Sequence, residues 1–199
     1  MARTQAKDHA AKQEAILEAA ARVFASEGFD RASMAALARE AGISKANIYH
    51  YYDSKDALLF DLLDSHLKAL RDRLVAVKLE GLSPPEKLAA LCIEVLLAYQ
   101  GADNAHRVQS TGMDHLPEAE RRILVEYQRD MVRLMADVIA ENAPAVFAHE
   151  PAKLRSVTMS VFGMLNWHYK WNSDASEETR RKHAKLIAEL VIGGVQNIS

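Results

Sequence analysis

The sequence lacks the features of a secreted or membrane-spanning protein. Cys92 is the only cysteine among 199 residues, so an intramolecular disulfide is impossible, which suits a reducing cytoplasm. No run approaches about 18 consecutive apolar residues, so we expect no transmembrane span and no membrane partner. The first residues carry Arg3, Lys7, Asp8 and Lys12 and no apolar stretch, which argues against a secretory signal. We therefore expect a cytoplasmic protein.

Residues that would indicate enzyme chemistry are also missing. We find no pairing of a nucleophile with a base, no set of four metal ligands and no glycine-rich phosphate loop, so we expect neither catalysis nor a cofactor. His106, Asp114 and His115 come nearest to a metal site, but their spacing fits no compact ligand motif and no metal is expected. Cys92 lies in the apolar run LAALCIEVLL, which predicts a buried small hydrophobe.

An excess of positive charge is absent as well. The net charge is −2, and residues 1–56 hold eight Lys/Arg against eight Asp/Glu. Electrostatic attraction to a nucleic acid would therefore depend on local clusters of cations. The first twelve residues carry three cations against one acid, and a reader with so few cations would depend on hydrogen bonds to phosphate as well as on charge.

The sequence is rich in apolar residues at helical spacing. Hydrophobic residues make up 49% of the chain, enough for a core, and no strand pattern or internal repeat is visible. We predict an all-α fold with a loop bracketed by Pro144 and Pro151. The predicted helices cover residues 10–27, 33–40, 44–51, 54 to about 81, 84–99, 104–113, 117–142, 152–171 and 177–197.

The most informative stretch is residues 33–52. Ser33 begins a short helix with an apolar stripe that runs into Gly42, and Ser44 begins a second short helix. Helix, glycine turn and polar-aromatic helix is the plan of a helix-turn-helix that reads DNA. As helix N-caps, Ser33 and Ser44 would stand where free backbone N–H groups favour an anion such as phosphate.

The second short helix carries an unusual polar load. At 100° per residue, one face holds Lys45, Ala46, Tyr49 and His50, with Asn47 at its edge, while Ile48 and Tyr51 turn away. Small Ala46 would let the backbone approach the groove, Lys45 would reach a phosphate or guanine, and Asn47 would reach adenine or a phosphate. The alternative is a pair of packing helices with Tyr49 and Tyr51 in the core, although a fully buried helix would not carry so many polar groups.

These residues together resemble the TetR family of bacterial regulators over roughly residues 10–70. The resemblance rests on Ile16-Leu17-xx-Ala20-xx-Val23-Phe24, Gly28-Phe29, Ser33-Met34-xx-Leu37-Ala38-xx-Ala41-Gly42-Ile43-Ser44, Asn47-Ile48-Tyr49-xx-Tyr52 and Ser54-Lys55-xx-Leu58. Ala46 stands where glycine is common, and Tyr52 where phenylalanine is usual. Neither departure argues against DNA binding.

The resemblance implies an all-helical homodimer in three parts. These are an N-terminal arm (1–9), a DNA-binding domain (10–70) and a ligand-binding and dimerisation domain (71–199). It implies a repressor that a small effector releases from a palindromic operator. The family's usual DNA-contact positions are occupied by Lys45, Ala46, Asn47, Tyr49, His50, Tyr51 and Lys55. The alternative is an all-helical acyl-CoA-binding protein or enzyme whose helix-turn-helix is incidental.

In the second half, the richest segment is Gly163 to Trp171. Trp167 and Trp171 fall four residues apart on one helical face, and Asn166 and Lys170 pair similarly beside them. The segment is similar to that of a TetR branch that senses acyl-CoA thioesters, which makes an acyl-CoA the expected effector. Packing in the core or a dimer interface would explain the same aromatics.

Other residues in this half also allow both a ligand-binding and a purely structural interpretation. Methionines at helical spacing would line an apolar tunnel or simply fill the core. They are Met113, Met131, Met135, Met159 and Met164. The basic start of the last helix, residues 180–185, would bind CoA phosphates or form a solvated face.

The last two helices are also the expected dimer interface. Their apolar load is Val157, Val161, Leu165, Leu186, Leu190 and Val191. Gly193 and Gly194 would allow a close helix–helix approach between protomers.

Overall fold

The computed structural model describes residues 2–172, 174–195 and 197, with side chains from residue 9 onward. Every regular element in this part of the chain is helical, as predicted. The helices are α1 (Ala2–Glu27), α2 (Met34–Glu40), α3 (Lys45–Ile48), α4 (Lys55–Val75), α5 (Pro84–Ala98), α6 (Asp103–Gly112), the 3₁₀ turn η1 (Met113–His115), α7 (Glu118–Asn142), α8 (Pro144–Phe147), α9 (Pro151–Trp167), α10 (Tyr169–Asn172) and α11 (Glu177–Val195). Within those residues, none of the helices has the length and apolar character needed to cross a bilayer.

The chain forms two compact units whose division falls inside helices. The first consists of residues 1–67 and 104–125, and the second of residues 68–103 and 126–199. The boundaries lie within α4 and α7 and just after the first residue of α6. The first unit thus includes residues 104–125, which the sequence analysis had assigned to the second half.

The first unit is built on α1 and the leucine-rich face of α4. Ile16 and Phe24 of α1 are buried as the spacing predicted, and so are Leu59 and Leu63 of α4. Gly112 allows α6 to approach α4 closely, since a Cβ at that position would lie 3.2 Å from Leu59 Cδ1. A Cβ there would require the side chains of Leu59 and Val108 to shift by a few tenths of an ångström.

The second unit is centred on α5, which packs against α11 and α9. The Ser83 backbone N–H donates to the Glu86 carboxylate at 2.8 Å, so the predicted start of α5 is confirmed. Cys92 is fully buried, as predicted, and burial raises the pKa of its thiol to about 12. The cysteine is therefore a core residue, protected from thiolate chemistry.

Several helix ends differ from the prediction. α1 begins at Ala2 rather than residue 10, because residues 2–11 are mostly good helix formers although the apolar stripe begins only at Ile16. Met1 and the side chains of residues 2–8 of the expected arm lie outside the described residues. α4 ends at Val75, not near residue 81, since the leucine stripe stops at Leu74 and the Val77 N–H bonds to the Leu74 carbonyl.

The segment 144–171 is also more broken than predicted. Pro144 was expected to bracket a loop, yet it opens the short helix α8, since proline suits the first helical turn. The predicted helix 152–171 stops at Trp167, where the His168 N–H bonds to the Leu165 carbonyl at 3.3 Å and tightens the turn. The last helix starts after Ser176, whose hydroxyl accepts from the Thr179 N–H. Its expected extension to residue 197 includes Gln196, which lies outside the described residues.

Candidate nucleic-acid interface

Two serines cap the short helices at the centre of the first unit. The Ser33 hydroxyl accepts from the Ala36 N–H at 3.2 Å, and the Ser44 hydroxyl from the Asn47 N–H at 3.1 Å. Gly42 has φ +68° in the turn between them, a conformation that favours glycine. The N-caps and the glycine turn are therefore as predicted.

The second short helix presents most of the expected side chains to solvent. Lys45, Ala46, Tyr49 and His50 are exposed and Asn47 is half-buried, whereas Ile48 is completely buried. The exposed fraction of Tyr49, 44%, excludes the alternative in which it is a core aromatic. The regular helix α3 spans only four residues, not the eight predicted for 44–51. The chain continues from Ile48 in a tighter turn, with His50 N–H bonded to Asn47 O and Tyr51 N–H to Ile48 O.

Tyr51 differs from its exposed neighbours. It is half-buried, and its ring centroid lies 4.8 Å from that of His9 on α1. Nothing in the sequence points to this contact of His9, because His9 belongs to no apolar stripe. DNA contact by Tyr51 stays a prediction.

Lys55 has contacts that the sequence analysis did not anticipate. Its ammonium donates to the carbonyl oxygens of Phe29 at 2.9 Å and Asp30 at 3.2 Å, and the Ala32 oxygen lies at 3.5 Å. A lysine ammonium has three hydrogens to donate, so these carbonyls use its capacity. Phosphate contact by Lys55 stays a prediction, and these bonds favour a different role.

Polar side chains also hold the remaining elements of the module. The Tyr52 hydroxyl and Gln13 Nε2 both donate hydrogen bonds to the Asp61 carboxylate. These bonds connect α1 and α4 with Tyr52, which stands where phenylalanine was expected. Burial, followed by the hydrogen bond to Asp61, raises the pKa of Tyr52, so its hydroxyl stays a donor. Arg22 Nε lies 2.7 Å from Glu40 and joins α1 to α2.

Two family models match the chain over most of its length. Residues 16–62 match "Bacterial regulatory proteins, tetR family", and residues 81–195 match "Tetracyclin repressor-like, C-terminal domain". The chain belongs to the TetR family. Its transcription-regulating, DNA-binding character follows from that membership, and the exposed face of residues 45–50 lies within the DNA-binding module.

Individual relatives agree with this TetR assignment. The chain is 32% identical over 134 residues to the HTH-type transcriptional regulator BetI of Agrobacterium fabrum, covering 65% of this chain and 62% of BetI. It is similar to the crystal structure of a TetR-family transcriptional regulator from Bordetella parapertussis, with a TM-score of 0.84, 30% identity and coverage of 94% and 97% of the two chains. It also shares its fold with AibR, solved in complex with isovaleryl coenzyme A and operator DNA. There the TM-score is 0.71, the identity 21%, and the coverage 92% of this chain and 97% of AibR.

The aromatic segment of the second unit is only partly arranged as predicted. Trp167 and Trp171 are both exposed, at 62% and 59%, but the break at His168 places them on different helices. The Lys170 ammonium lies 5.5 Å from the Trp167 ring centroid. Asn166, expected to face a ligand, accepts a hydrogen bond from the buried Tyr99 hydroxyl at 2.8 Å. Asn166 is therefore engaged in the core.

The methionines divide into two groups. Met131 and Met135 are buried in the second unit, and Met113 lies half-buried in the first unit. Met159 and Met164 are exposed at 48% and 36%, so they do not line a closed tunnel in the protomer.

The basic start of α11 contains an unexpected core residue. Arg180 is 1% exposed, donates to the Ala175 carbonyl at 3.1 Å and the Leu96 carbonyl at 3.4 Å, and lies 3.9 Å from the Asp103 carboxylate. Arg180 is thus neither a solvated residue nor an available phosphate ligand. By contrast, Arg181 and Lys182 are exposed and pair with glutamates one turn earlier. Helical spacing separates the two arginines, since Arg180 lies four and seven residues before the buried Ala184 and Ile187, on the core face of α11.

The predicted dimer residues need correction. Val161, Leu165 and Val191 are buried in the protomer, and Val157 is half-buried, so α9 and α11 use these positions against their own core. Leu190 and Gly194 are exposed as the prediction requires. Other exposed apolar or glycine positions of these helices include Met159, Gly163, Met164, Trp167, Leu186 and Gly193.

His106, Asp114 and His115, the residues that come nearest to a metal site in the sequence, do not form one in the structure. Among the described residues, no group of three or more His, Cys, Asp or Glu side chains could hold a metal ion. His106 instead faces His66 of α4, with ring centroids 6.3 Å apart, and His115 packs on Phe29. Burial and the neighbouring His106 lower the pKa of His66 to about 4, which keeps its imidazole neutral.

Proposed function

We propose that this TetR-family protein is a ligand-responsive repressor that acts in the cytoplasm as a homodimer on a palindromic operator. The observation that carries the proposal is the exposed set Lys45, Ala46, Tyr49 and His50, built on an element whose serine caps and buried Ile48 fix its position. The set combines a cation, hydrogen-bond donors and a small residue, which suits a short helix placed against the major groove.

The dimer is supported by an exposed apolar surface on α9 and α11. We define the α9–α11 surface by Met159, Gly163, Leu186, Leu190 and Gly194, all of them exposed on two helices that pack together. Large apolar groups are seldom left together in water unless another surface covers them. We propose a second copy of the chain as the partner of this surface, because a palindromic operator requires two DNA-binding elements roughly 34–36 Å apart to contact its two half-sites.

A coenzyme A thioester is the proposed effector. AibR, which shares the fold, was solved with isovaleryl coenzyme A, and this chain exposes two tryptophans and Lys170 on neighbouring turns. Indoles stack on adenine, and ammonium groups form strong hydrogen bonds with phosphate. Arg180 and Asn166 no longer support the proposal, because both side chains are engaged in the core.

Release from DNA would follow from unequal binding to two conformers. An effector that binds better to a conformer with the wrong separation of readers lowers the population that fits the operator. α4 and α7 each contribute several residues to both compact units, so either helix can carry such a change between them.

The test has two stages. Duplexes enriched from random DNA by the purified protein would first identify an operator. The complex would then be titrated with a panel of acyl-CoAs, the matching free acids and free CoA. We expect release by thioesters alone, and a weaker response from Lys170→Ala than from Lys153→Ala, a matched lysine substitution on α9. Release by free acids with inert thioesters would contradict the proposed effector, and enrichment of no duplex would contradict operator binding itself.

A further inference from the structure

The loop 28–32 joins α1 to α2, and three residues outside it contact Phe29: Phe24 of α1, whose ring centroid lies 5.5 Å away, and two residues from later in the chain, Lys55 and His115. Lys55, the first residue of α4, bonds to the carbonyl oxygens of Phe29 and Asp30 and also lies 4.4 Å from the Phe29 ring centroid. His115, the last residue of η1, packs its ring 4.6 Å from the same centroid at 32°. We call Phe29, Lys55 and His115 the Phe29 cluster.

The cluster lies directly before the start of the helix-turn-helix. Ala32, at the end of the loop, is buried, and Ser33 follows it as the N-cap of α2. A shift of the loop would therefore move the first turn of α2 and, through the glycine turn, the reading element. Within the loop, Asp30 and Arg31 are exposed, and the Arg31 Nε donates to the Glu27 carbonyl at 2.8 Å, so Phe29 is the side chain through which α4 and η1 hold the loop.

We propose that His115 is a positioning residue for DNA binding and that Lys55 acts with it, holding loop 28–32 rather than meeting a phosphate. His115 lies outside the segment 16–62 that matches the DNA-binding family model, yet by its contacts it belongs to the same compact unit. The inference rests on the proposed operator binding and extends it to residues of the 104–125 segment.

Ring packing, more than charge, accounts for the role of His115. Its Nδ1 lies 3.8 Å from the Asp30 carboxylate, but the Asp30 side chain is 84% exposed, and exposed ion pairs contribute little. The rings of His115 and Phe29, by contrast, lie in an arrangement that stabilises aromatic pairs. A phenylalanine at position 115 should therefore replace the histidine.

The experiment compares operator affinity across salt concentrations for matched variants. His115→Ala should weaken binding to all sequences about threefold to tenfold, the range expected for loss of an aromatic pair, with an unchanged salt slope. His115→Phe should remain near the wild type. Lys55→Ala should weaken binding with the wild-type slope, whereas the exposed Lys45→Ala should reduce the slope by about one unit for each bound protomer. His149→Ala, an exposed histidine in the second unit, is the control.

Three results of the affinity measurements would overturn the inference. The first is a salt slope lowered by about one unit for each protomer in Lys55→Ala, which would restore the phosphate contact. The second is an equal loss of affinity in His115→Ala and His115→Phe, and the third is wild-type affinity in His115→Ala. A measurement made in the absence of DNA tests the role of His115 independently of operator binding. Amide hydrogen exchange of residues 28–33 should accelerate in His115→Ala and not in His115→Phe, and unchanged exchange in both would contradict the positioning role even if no operator exists.

Discussion

The imidazole rings of His168 and His183 lie 5.0 Å apart, and the Trp171 indole packs 5.1 Å from each of them. His168 is 1% exposed, and neither of its ring nitrogens has a hydrogen-bond partner within the described part of the chain. Burial, with His183 and the Arg180 guanidinium nearby, lowers the pKa of His168 to about 4. This group of rings joins α10 to α11 and favours neutral histidine.

Acid should therefore destabilise the protein through His168 and, in the first unit, through His66. Both pKa values fall from 6.5 to about 4 on folding, so between these values the unfolded chain binds more protons. The stabilisation is complete above about pH 6.5 and is lost as the pH falls toward 4, with a limiting slope of about 1.4 kcal/mol per pH unit for each histidine. Urea unfolding at pH values from 7 to 5 gives the free energy of unfolding as a function of pH. This free energy should fall less steeply with decreasing pH for His168→Phe than for wild type or His149→Phe. An identical slope in all three would contradict the prediction.

Arg180 should be the most sensitive cation of α11. Arg180→Met leaves the Leu96 and Ala175 carbonyls and the Asp103 carboxylate without their cationic partner, and a loss of about 3 kcal/mol of unfolding free energy is expected. Arg181→Met removes only an exposed pair with Glu177 and should change stability by less than about 0.5 kcal/mol. Chemical denaturation of the two variants measures the difference, and comparable losses would show that burial of Arg180 is unimportant.

Asn47 should influence which sequences are bound. It is half-buried at the edge of the exposed face, and an asparagine that pairs with adenine contributes about 1–3 kcal/mol of discrimination. Repeating the DNA selection with Asn47→Ala should relax the preference at one position of each half-site. If affinity falls equally for all sequences, Asn47 contacts only the backbone.

The α9–α11 surface should form the dimer. Leu190→Arg or Gly194→Arg places a charge on this surface without disturbing the protomer core, so we expect folded monomers that bind half-sites poorly. Val161→Arg, by contrast, places a charge in the core and should unfold the chain. Sedimentation velocity and circular dichroism distinguish the two outcomes. Wild-type protein that sediments as a monomer at micromolar concentration would exclude the dimer.

The sequence predicted the helix-turn-helix well because its signals are local. Two serine caps, Gly42 and the buried Ile48 act within a few residues, and each depends on backbone geometry that the residue itself favours. The same holds for the proline and capping pair at the start of α5. For these elements the spacing of residues was sufficient to predict the structure, because no contact with a distant part of the chain competes with the local preference.

Predictions that depended on distant contacts were less successful. Arg180 and Lys182 stand in one basic run, and although Arg180 is in register with the buried stripe of α11, the carbonyl of Leu96 on α5 that it binds lies 84 residues earlier in the chain. Apolar spacing identified Val161 and Leu190 together, but it does not tell which side of a helix faces its own core and which faces a partner. Lys55 matched a family position, while the carbonyls that it binds lie more than twenty residues earlier in the chain.

The most direct test of DNA recognition by this TetR-family protein is the affinity for its selected duplex as salt is raised from about 50 to about 200 mM. We predict two protomers per palindromic duplex and a steep linear fall of log K with log salt. Lys45→Ala should make that fall shallower by about one unit for each protomer. Binding that does not depend on salt, or that is equal for selected and random duplexes, would contradict sequence-specific recognition by the exposed face of residues 45–50.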